Sequence, residues 1–268
     1  MCTLIAGIGT LGPGTLVVGA NRDESPGRPA SAPGLLRERP LVVGGRDLVA
    51  GGTWLAIREA RFVVALLNRR PVPGGPGGPD DPNDPSAYRS RGLLCLDAAT
   101  AGPPADAAHR LDPGTGERHP VHRDAALALL ARDVYAHCTL VGLEAGGEAW
   151  AIHAGHGKPA ETLPLAPGWH VITHADPDDL GEPRTAWLLA QLRELKPAGV
   201  DAALEGVAAL LRHHEEDGGV GVCLHRDRFP TVSSTLLALG DVGTPRYLHA
   251  AGPPCVTPYT DVSSLLES

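Results

Sequence analysis

Cys2 is the residue whose type and position could do chemistry most directly in this chain. A small second residue permits removal of Met1, which would leave Cys2 with both a thiol and a free α-amino group. Near neutral pH such an amine, with an ordinary pKa of about 7.7–8.0, can take the proton of a thiol whose ordinary pKa is about 8.5. The position therefore predicts an amino-terminal nucleophile with a built-in base. The alternative is a second-position cysteine with no catalytic role.

The composition predicts a soluble globular protein and argues against nucleic acid as a partner. A chain of 268 residues can bury a substantial core, and we expect one domain, residues 1–268. Aromatic residues make up 4% of the chain, too few for stacking platforms, and the net charge of −8 disfavours binding to a phosphate backbone. The five cysteines are odd in number and widely spaced, which is not the pattern of a disulfide framework.

The amino-terminal segment is apolar but does not read as a targeting or membrane segment. Residues 2–21 lack the basic region that opens a secretory signal, and Gly12-Pro13-Gly14 interrupts them. A membrane helix needs about 20 predominantly apolar residues, so two short strands at about 2–9 and 15–21 fit better. We expect a cytoplasmic protein with no integral membrane segment.

The elements that must position these residues can be predicted from hydrophobic periodicity. Strands precede helices along the chain, and strands return at its end, which predicts an α+β domain with helices packed outside stacked sheets. Residues 71–85, rich in proline and glycine, are predicted to form an exposed flexible loop, with a lid over a site as the alternative. The predicted strands are 41–43, 53–57, 62–67 ending at Asn68, 137–143, 149–153, 220–224, 233–239 and 247–250. The predicted helices are 92–101, 124–132, one through Trp187 to Leu195 and one through Val200 to Leu211.

Short motifs distributed along the chain resemble, in order and spacing, those of the NRDE family, the family of transport and Golgi organisation protein 2. The motifs are Met1-Cys2-Thr3, Ala20-Asn21-Arg22-Asp23-Glu24 with Arg28-Pro29, Gly51-Gly52-Thr53-Trp54-Leu55, the strand ending in Asn68, Ser90-Arg91-Gly92, and Cys223-x-His225 leading to Thr231-x-Ser233-Ser234-Thr235. The family is similar in turn to the cysteine amino-terminal-nucleophile (Ntn) hydrolases, which include penicillin V acylase and conjugated bile acid hydrolase. This resemblance implies a four-layer αββα sandwich.

The resemblance implies a role for Cys2 as the nucleophile and for Asn68 as an oxyanion donor. The Cys2 thiolate would attack an amide carbonyl and form a thioester that water then cleaves. Asn68 follows an apolar strand, where hydrolases of this group place an asparagine that stabilises the developing negative charge; one such donor is worth about 3–4 kcal/mol. An ordinary turn-forming asparagine is the alternative.

The hydrolases also place an arginine and an aspartate beside the nucleophile, and Arg22 and Asp23 are the matching candidates. They are adjacent here, and adjacent residues on a strand face opposite ways. We expect Asp23 to point at Cys2, with Asn21 on the same face, and Arg22 to form an ion pair with Glu24 beneath the site.

Other motif residues are candidates for the same site. Trp54, Thr231 and Ser233, together with Asn21, are candidates for binding substrate, although core packing accounts equally well for Trp54. His174 replaces an asparagine of the family and can still donate a hydrogen bond or act as an acid or base; a solvated turn residue is the alternative.

Val232 stands where relatives commonly carry arginine. The loss of that positive charge would make the site less suited to an anionic substrate.

Two groups of metal-ligand residue types are not expected to bind a metal. The segment His213-His214-Glu215-Glu216-Asp217 is expected to be a polar helix end. A set comprising Cys223, His225, His249 and Cys255 lacks the paired short spacings of a structural zinc site, so we expect no metal and no other cofactor.

The sequence thus supports two functions of different classes. The first is an amidohydrolase or acyltransferase that acts on a non-peptide C–N bond of a small-molecule amide through Cys2 after Met1 removal. The second is a non-catalytic carrier or trafficking protein for haem, lipid or another hydrophobic ligand. A glutamine amidotransferase domain also begins with Met-Cys, but we expect no synthase domain in this protein.

Overall fold

The structure is a computed structural model that describes residues 2–69, 88–102, 121–155, 159–215 and 219–267. The predicted loop at 71–85 lies outside these residues. The described strands are β1 Thr3–Ile8, β2 Thr15–Asp23, β3 Gly34–Arg37, β4 Val42–Gly44, β5 Leu55–Arg58, β6 Phe62–Asn68, β7 Cys138–Glu144, β8 Ala149–Ala154, β9 Glu161–Pro164, β10 Gly168–Ile172, β11 Thr231–Gly240, β12 Arg246–Ala250 and β13 Thr260–Asp261. The helices are α1 Arg91–Thr100, α2 Val121–Arg132, α3 Pro183–Glu194 and α4 Val200–Arg212, and a 3₁₀-helix spans Ser263–Glu267.

The strands form two antiparallel sheets. The first has the order β10-β1-β2-β11-β12-β13, and the second has the order β3-β4-β5-β6-β7-β8-β9. Strand β1, which follows Cys2 directly, therefore lies between β10 and β2 inside the first sheet. Its neighbours on both sides hold the residue next to the proposed nucleophile in a fixed register.

Side-chain alternation on each strand builds a core between the sheets and another core beneath each pair of helices. On β1, Leu4 packs between the sheets, whereas Ile5 packs against α3 and α4. On β6, Leu67 packs between the sheets, and Leu66 belongs to the core under α1 and α2. Alternate residues of a strand point to opposite faces, so each sheet packs against the other sheet on one face and against a pair of helices on the other. The predicted α+β fold, a four-layer αββα sandwich, is confirmed.

Two glycines allow layers to approach more closely than a side chain would permit. A Cβ on Gly19 of β2 would lie 2.3 Å from a Val207 methyl group of α4, so this glycine lets the helix settle on the sheet. A Cβ on Gly52 would lie 2.1 Å from the carbonyl carbon of Gly92 at the start of α1. Gly52 thereby brings the segment that carries Trp54 against α1.

The helices have 10 to 13 residues each. Within the described ranges, no helix combines the length and the hydropathy that crossing a membrane would take.

The strand predicted at 220–224 is wrong. In this segment only Cys223 forms a β-bridge, an isolated one with His214. The backbone N–H groups of Val222 and Cys223 both donate to the carbonyl of His213, and Thr231 exchanges hydrogen bonds with Leu224. The apolar residues of the segment are buried because loop and side-chain contacts hold them. The sequence prediction also lacked the short strands β3, β9 and β13.

Candidate active site

Cys2 lies at the entrance to the core between the two sheets. It immediately precedes β1, is half-buried and packs against the apolar residues of the inter-sheet core. Burial raises the pKa of its thiol, and the negative charge of Asp23 raises it further; the Asp23 backbone N–H and the charge of Arg22 act in the opposite direction. The thiol is therefore neutral near pH 7 in this environment and needs a base to become a nucleophile.

The strand register places Arg22 and Ser233 in line with Cys2 on the inter-sheet face. Thr3 pairs with Asn21 across β1 and β2, so Cys2, one residue earlier, lies opposite Arg22. Arg22 pairs in turn with Ser233 on β11. Directly opposed residues of antiparallel strands share a face. A thiol, a guanidinium and a hydroxyl thus succeed one another across three strands.

Arg22 lies over Trp54 and does not pair with Glu24. Its Cζ is 4.2 Å from the centroid of the Trp54 ring, a cation–π geometry. Burial lowers the pKa of Arg22, although the nearby charges of Glu24 and Cys2 act against this. Glu24 instead lies 3.9 Å from Arg28. The expected Arg22–Glu24 ion pair beneath the site is thus replaced by an arginine that packs over Trp54 on the inter-sheet face.

Asp23 has its side chain on the opposite face, towards the helices. Its Oδ1 accepts a hydrogen bond of 2.7 Å from Thr231, and its Oδ2 is 3.6 Å from a guanidinium nitrogen of Arg184 on α3. Burial raises the pKa of Asp23 to about 6, against the lowering effects of Thr231 and Arg184. Of the two adjacent residues, Arg22 therefore shares the face of the Cys2 thiol, and Asp23 offers its backbone N–H to the sulfur.

Asn21 shares the helix-side face with Asp23, as strand alternation predicts, and its contacts are structural. Its Nδ2 donates 2.9 Å and 3.1 Å hydrogen bonds to the carbonyls of Leu211 and Val222. Asn21 thus ties β2 to the end of α4 and to the segment before Cys223.

Asn68 ends β6 at the same end of the sandwich as Cys2, but strand alternation puts it on the other face of its sheet. It pairs with Cys138, is exposed and continues the row of Leu66, which packs under α1. Arg69 follows on the inter-sheet side. A role for Asn68 as oxyanion donor stays a prediction, and it requires the carboxamide to reach around the strand end.

Arg69 joins the second sheet to the loop after β10, and sequence reasoning missed it. Its guanidinium donates 2.7 Å and 3.4 Å hydrogen bonds to Asp176 and to the carbonyl of Ala175. The same group lies 2.9 Å from the ring nitrogens of His153 on β8. An arginine directly after Asn68 was the available signal, since alternation past the strand end turns it inwards.

His174 lies in this same loop, half-buried, two residues past the end of β10. Leu4 pairs with Ile172, so the β1–β10 register runs towards Cys2 and His174 at its open end. The structure thus brings His174 to the end of the sheet that carries Cys2, where Arg69 anchors the neighbouring residues Ala175 and Asp176.

The remaining candidates fall on different faces. Ser233 and Trp54 lie on the inter-sheet side with Arg22, whereas Thr231 is buried on the helix side, bonded to Asp23. The register shifts between Thr231 and Ser233, which makes Val232 the extra residue of a β-bulge.

A second group of reactive side chains is formed by Cys223, His225 and Cys255. Sulfur and imidazole ligand atoms of Cys223, His225 and Cys255 all lie within 4.8 Å of one another. His249 is not part of this group, because it lies on β12 with its Nδ1 3.5 Å from the hydroxyl of Thr235. In the expected polar helix end, His213 caps α4 and stacks on Trp187; Glu216 and Asp217 lie outside the described residues.

The family model described as Transport and Golgi organisation 2 (TANGO2) matches residues 1–122. The predicted resemblance is confirmed. This stretch contains Cys2, the Asn21-to-Glu24 segment, Trp54 and Asn68. Comparison with curated protein sequences finds no match.

Two solved structures show the same fold. Penicillin V acylase from Agrobacterium tumefaciens has a TM-score of 0.57 at 11% identity, covering 98% of this chain and 86% of its own. The N-acylethanolamine-hydrolyzing acid amidase ortholog of Caenorhabditis elegans has a TM-score of 0.55 at 14% identity, covering 88% of this chain and 92% of its own. Both neighbours are Ntn hydrolases. At these identities the likeness establishes the fold.

Proposed function

We propose that this chain is an amidohydrolase that cleaves a non-peptide C–N bond through Cys2 after removal of Met1. The observation that carries the proposal is the placement of Cys2 on the inter-sheet face, directly across from Arg22 at the mouth of an Ntn-hydrolase fold. A thiol, a fixed positive charge and an apolar cleft wall then meet at one point. This combination suits attack on the carbonyl of an acyl amide.

The reaction would proceed in two balanced steps. In the first, the α-amine of Cys2 takes the thiol proton, Sγ bonds to the amide carbon, and the C–N bond breaks as that proton passes to the departing amine. In the second, water attacks the thioester, its hydroxide part joins the acyl carbon, and the remaining proton restores the thiol. Transfer of the acyl group to another nucleophile in place of water would make the same site an acyltransferase.

The neighbouring groups would perform distinct tasks in these steps. Arg22 and the Asp23 backbone N–H favour the thiolate. The Asp23 carboxylate, with its pKa raised to about 6, is ionised at neutral pH and would hold the ammonium form of the amine. The oxyanion would take its hydrogen bond from Asn68, as the resemblance implies, or from Arg69 or His174 at the same mouth.

The substrate would be a small acyl amide with an apolar acyl part. Cys2 packs against the buried inter-sheet core that includes Leu4, Leu55 and Leu67, so the surroundings of its thiol are apolar. One structural neighbour is named for hydrolysing N-acylethanolamine and the other for acylase action on penicillin V. We extend from these names only the class of acylated small amides.

The test is a screen of an amide library against protein whose intact mass shows loss of Met1, with Cys2→Ala as the matched control. We expect release of an amine by the processed protein, none by the variant, and labelling of Cys2 by a thiol-reactive acyl probe. Full retention of Met1 in the cell would refute the mechanism, because the Cys2 nitrogen would be an amide. Copurification of haem or acyl lipid that Cys2→Ser leaves unchanged, without turnover, would favour the carrier function.

A second comparison identifies the oxyanion donor. If Asn68 is the donor, Asn68→Ala lowers kcat by roughly 10²–10³-fold, whereas Arg69→Lys has a smaller effect. The reverse order, with folding unchanged by circular dichroism, would assign the role to Arg69.

A further inference from the structure

The side chains of Cys223, His225 and Cys255 form a compact group outside the proposed catalytic cleft. Cys223 Sγ is 3.5 Å from Cys255 Sγ, and His225 Nε2 is 3.0 Å from Cys255 Sγ and 3.9 Å from Cys223 Sγ. All three ligand atoms therefore face a common centre, although 32 residues separate the two cysteines. Among the described residues, this is the group whose spacing suits a metal ion.

The separations match a tetrahedral zinc site better than a disulfide. With Zn–S near 2.3 Å and Zn–N near 2.0 Å, two ligands of a tetrahedral ion lie about 3.5–3.8 Å apart. The three observed separations bracket this value. A disulfide would need the two sulfurs to approach to about 2.05 Å, far closer than they lie here.

Both parts of the group are held in place by contacts that do not involve the ligand atoms themselves. Cys223 is buried, its backbone N–H donates to the His213 carbonyl, and Asn21 holds the carbonyl of the preceding residue. On the other side, Arg212 donates to the carbonyl of Pro254, next to Cys255. The ligands are thus pre-positioned on two separate segments, as a bound ion requires.

Charge and accessibility also suit a metal. His225 is exposed and Cys255 is half-buried, so an ion can enter from solvent. Two thiolates neutralise a divalent cation, and loss of both thiol protons on binding leaves no net charge at the partly buried centre.

We propose that Cys223, His225 and Cys255 bind one Zn²⁺ ion per chain, with the fourth coordination position open to water or to an incoming ligand. Three protein ligands with an open position is a common arrangement of zinc in enzymes. His214 lies beside the group, its ring edge-on to that of His225 at 5.6 Å between centroids.

Thr231 would connect the zinc site to the candidate catalytic residues. The Thr231 hydroxyl donates to Asp23 and also interacts with the Cys223 sulfur. An ion on Cys223 would therefore fix the residue that holds the Asp23 carboxylate. The zinc proposal itself does not depend on catalysis by Cys2.

The experiment uses the full chain, reduced, stripped of metal by a chelator and kept anaerobic. Zn²⁺ is titrated against a chromogenic chelator, and Co²⁺ serves as a spectroscopic probe of thiolate ligation. We expect one ion per chain, thiolate-to-cobalt charge-transfer absorption, and a melting temperature that rises with Zn²⁺. Cys2→Ser is the matched control, because it removes a thiol elsewhere and should leave all three readouts unchanged.

The test variants are Cys255→Ser and His225→Ala, whose side chains are the more exposed ligands and whose folding is checked by circular dichroism. Each should lower Zn²⁺ affinity by more than the roughly 10–100-fold that loss of an outer-shell partner costs. Stoichiometry below one ion, wild-type affinity in both variants, or a cobalt spectrum without thiolate bands would overturn the proposal. So would a mass lower by two hydrogens in the protein as isolated, before reduction, localised by peptide mapping to a Cys223–Cys255 disulfide.

Discussion

Replacing Asp23 by asparagine should change the free energy of unfolding, relative to the wild type, more favourably at neutral pH than at acid pH. The Asp23 side chain has no solvent exposure, and burial raises its pKa from 3.8 to about 6 despite Thr231 and Arg184. Each pKa unit corresponds to about 1.4 kcal/mol, so ionisation of Asp23 costs the folded state about 3 kcal/mol. The folded protein binds the proton more tightly than the unfolded chain does. The stability contributed by protonated Asp23 is therefore present below pH 4 and lost as the pH rises through 6.

The measurement is the free energy of unfolding in urea for the wild type and Asp23→Asn at intervals from pH 4 to pH 7, in the same Met1 processing state. The difference, variant minus wild type, should rise by about 2–3 kcal/mol over this range. The attraction between Arg184 and ionised Asp23 is already contained in the Asp23 pKa of about 6, and the guanidinium itself stays protonated throughout, so Arg184 adds no further pH dependence. The slope therefore isolates Asp23.

Asp47→Asn provides a matched control of opposite sign. Burial would raise the pKa of Asp47, but hydrogen bonds from Arg28 and from backbone N–H groups outweigh it, and the pKa is lowered. Its stabilising contribution is thus present above pH 4 and lost only below it, so the Asp47→Asn difference should be nearly constant from pH 5 to pH 7. A difference for Asp23→Asn that is equally flat, or that falls with pH, would refute the argument that Asp23 is held at a desolvation cost.

Two further substitutions test the packing at α1 and the electrostatic environment of Cys2. Gly52→Ala should lower the free energy of unfolding in urea by about 1–3 kcal/mol, because a Cβ there would lie 2.1 Å from the Gly92 backbone. Gly27→Ala is the control and should cost much less, because the space around Gly27 is open. Equal effects of the two substitutions would contradict this packing. Arg22→Ala should raise the pH midpoint of Cys2 alkylation, because the guanidinium charge lowers the pKa of the thiol. Arg22→Lys keeps a positive charge and should leave the midpoint near that of the wild type. A midpoint that Arg22→Ala does not change would show that Arg22 has no electrostatic effect on the thiol.

The central elements of the fold could be predicted from the sequence because their patterns are local. The apolar runs of β1 and β2, divided by Gly12-Pro13-Gly14, and the unbroken apolar run of β6 identify strands without knowledge of their partners. The stretch at 220–224 looks equally apolar, yet it is not a strand, since its hydrogen bonds go to His213, Thr231 and the Asn21 side chain. An apolar run predicts that a segment is buried, but a buried segment can be held by loop and side-chain contacts as well as by a sheet.

By itself, the sequence determined that Cys2 is a candidate nucleophile, that Arg22 and Asp23 face opposite ways, and that two sheets with outer helices enclose a core. Only the tertiary structure decided which of those two residues shares the face of Cys2, because that depends on the register between β1 and β2. It also placed Arg69 at the cleft and brought Cys255 to Cys223. Contacts between segments far apart in the chain depend on how the layers pack together, and local residue patterns do not predict that packing.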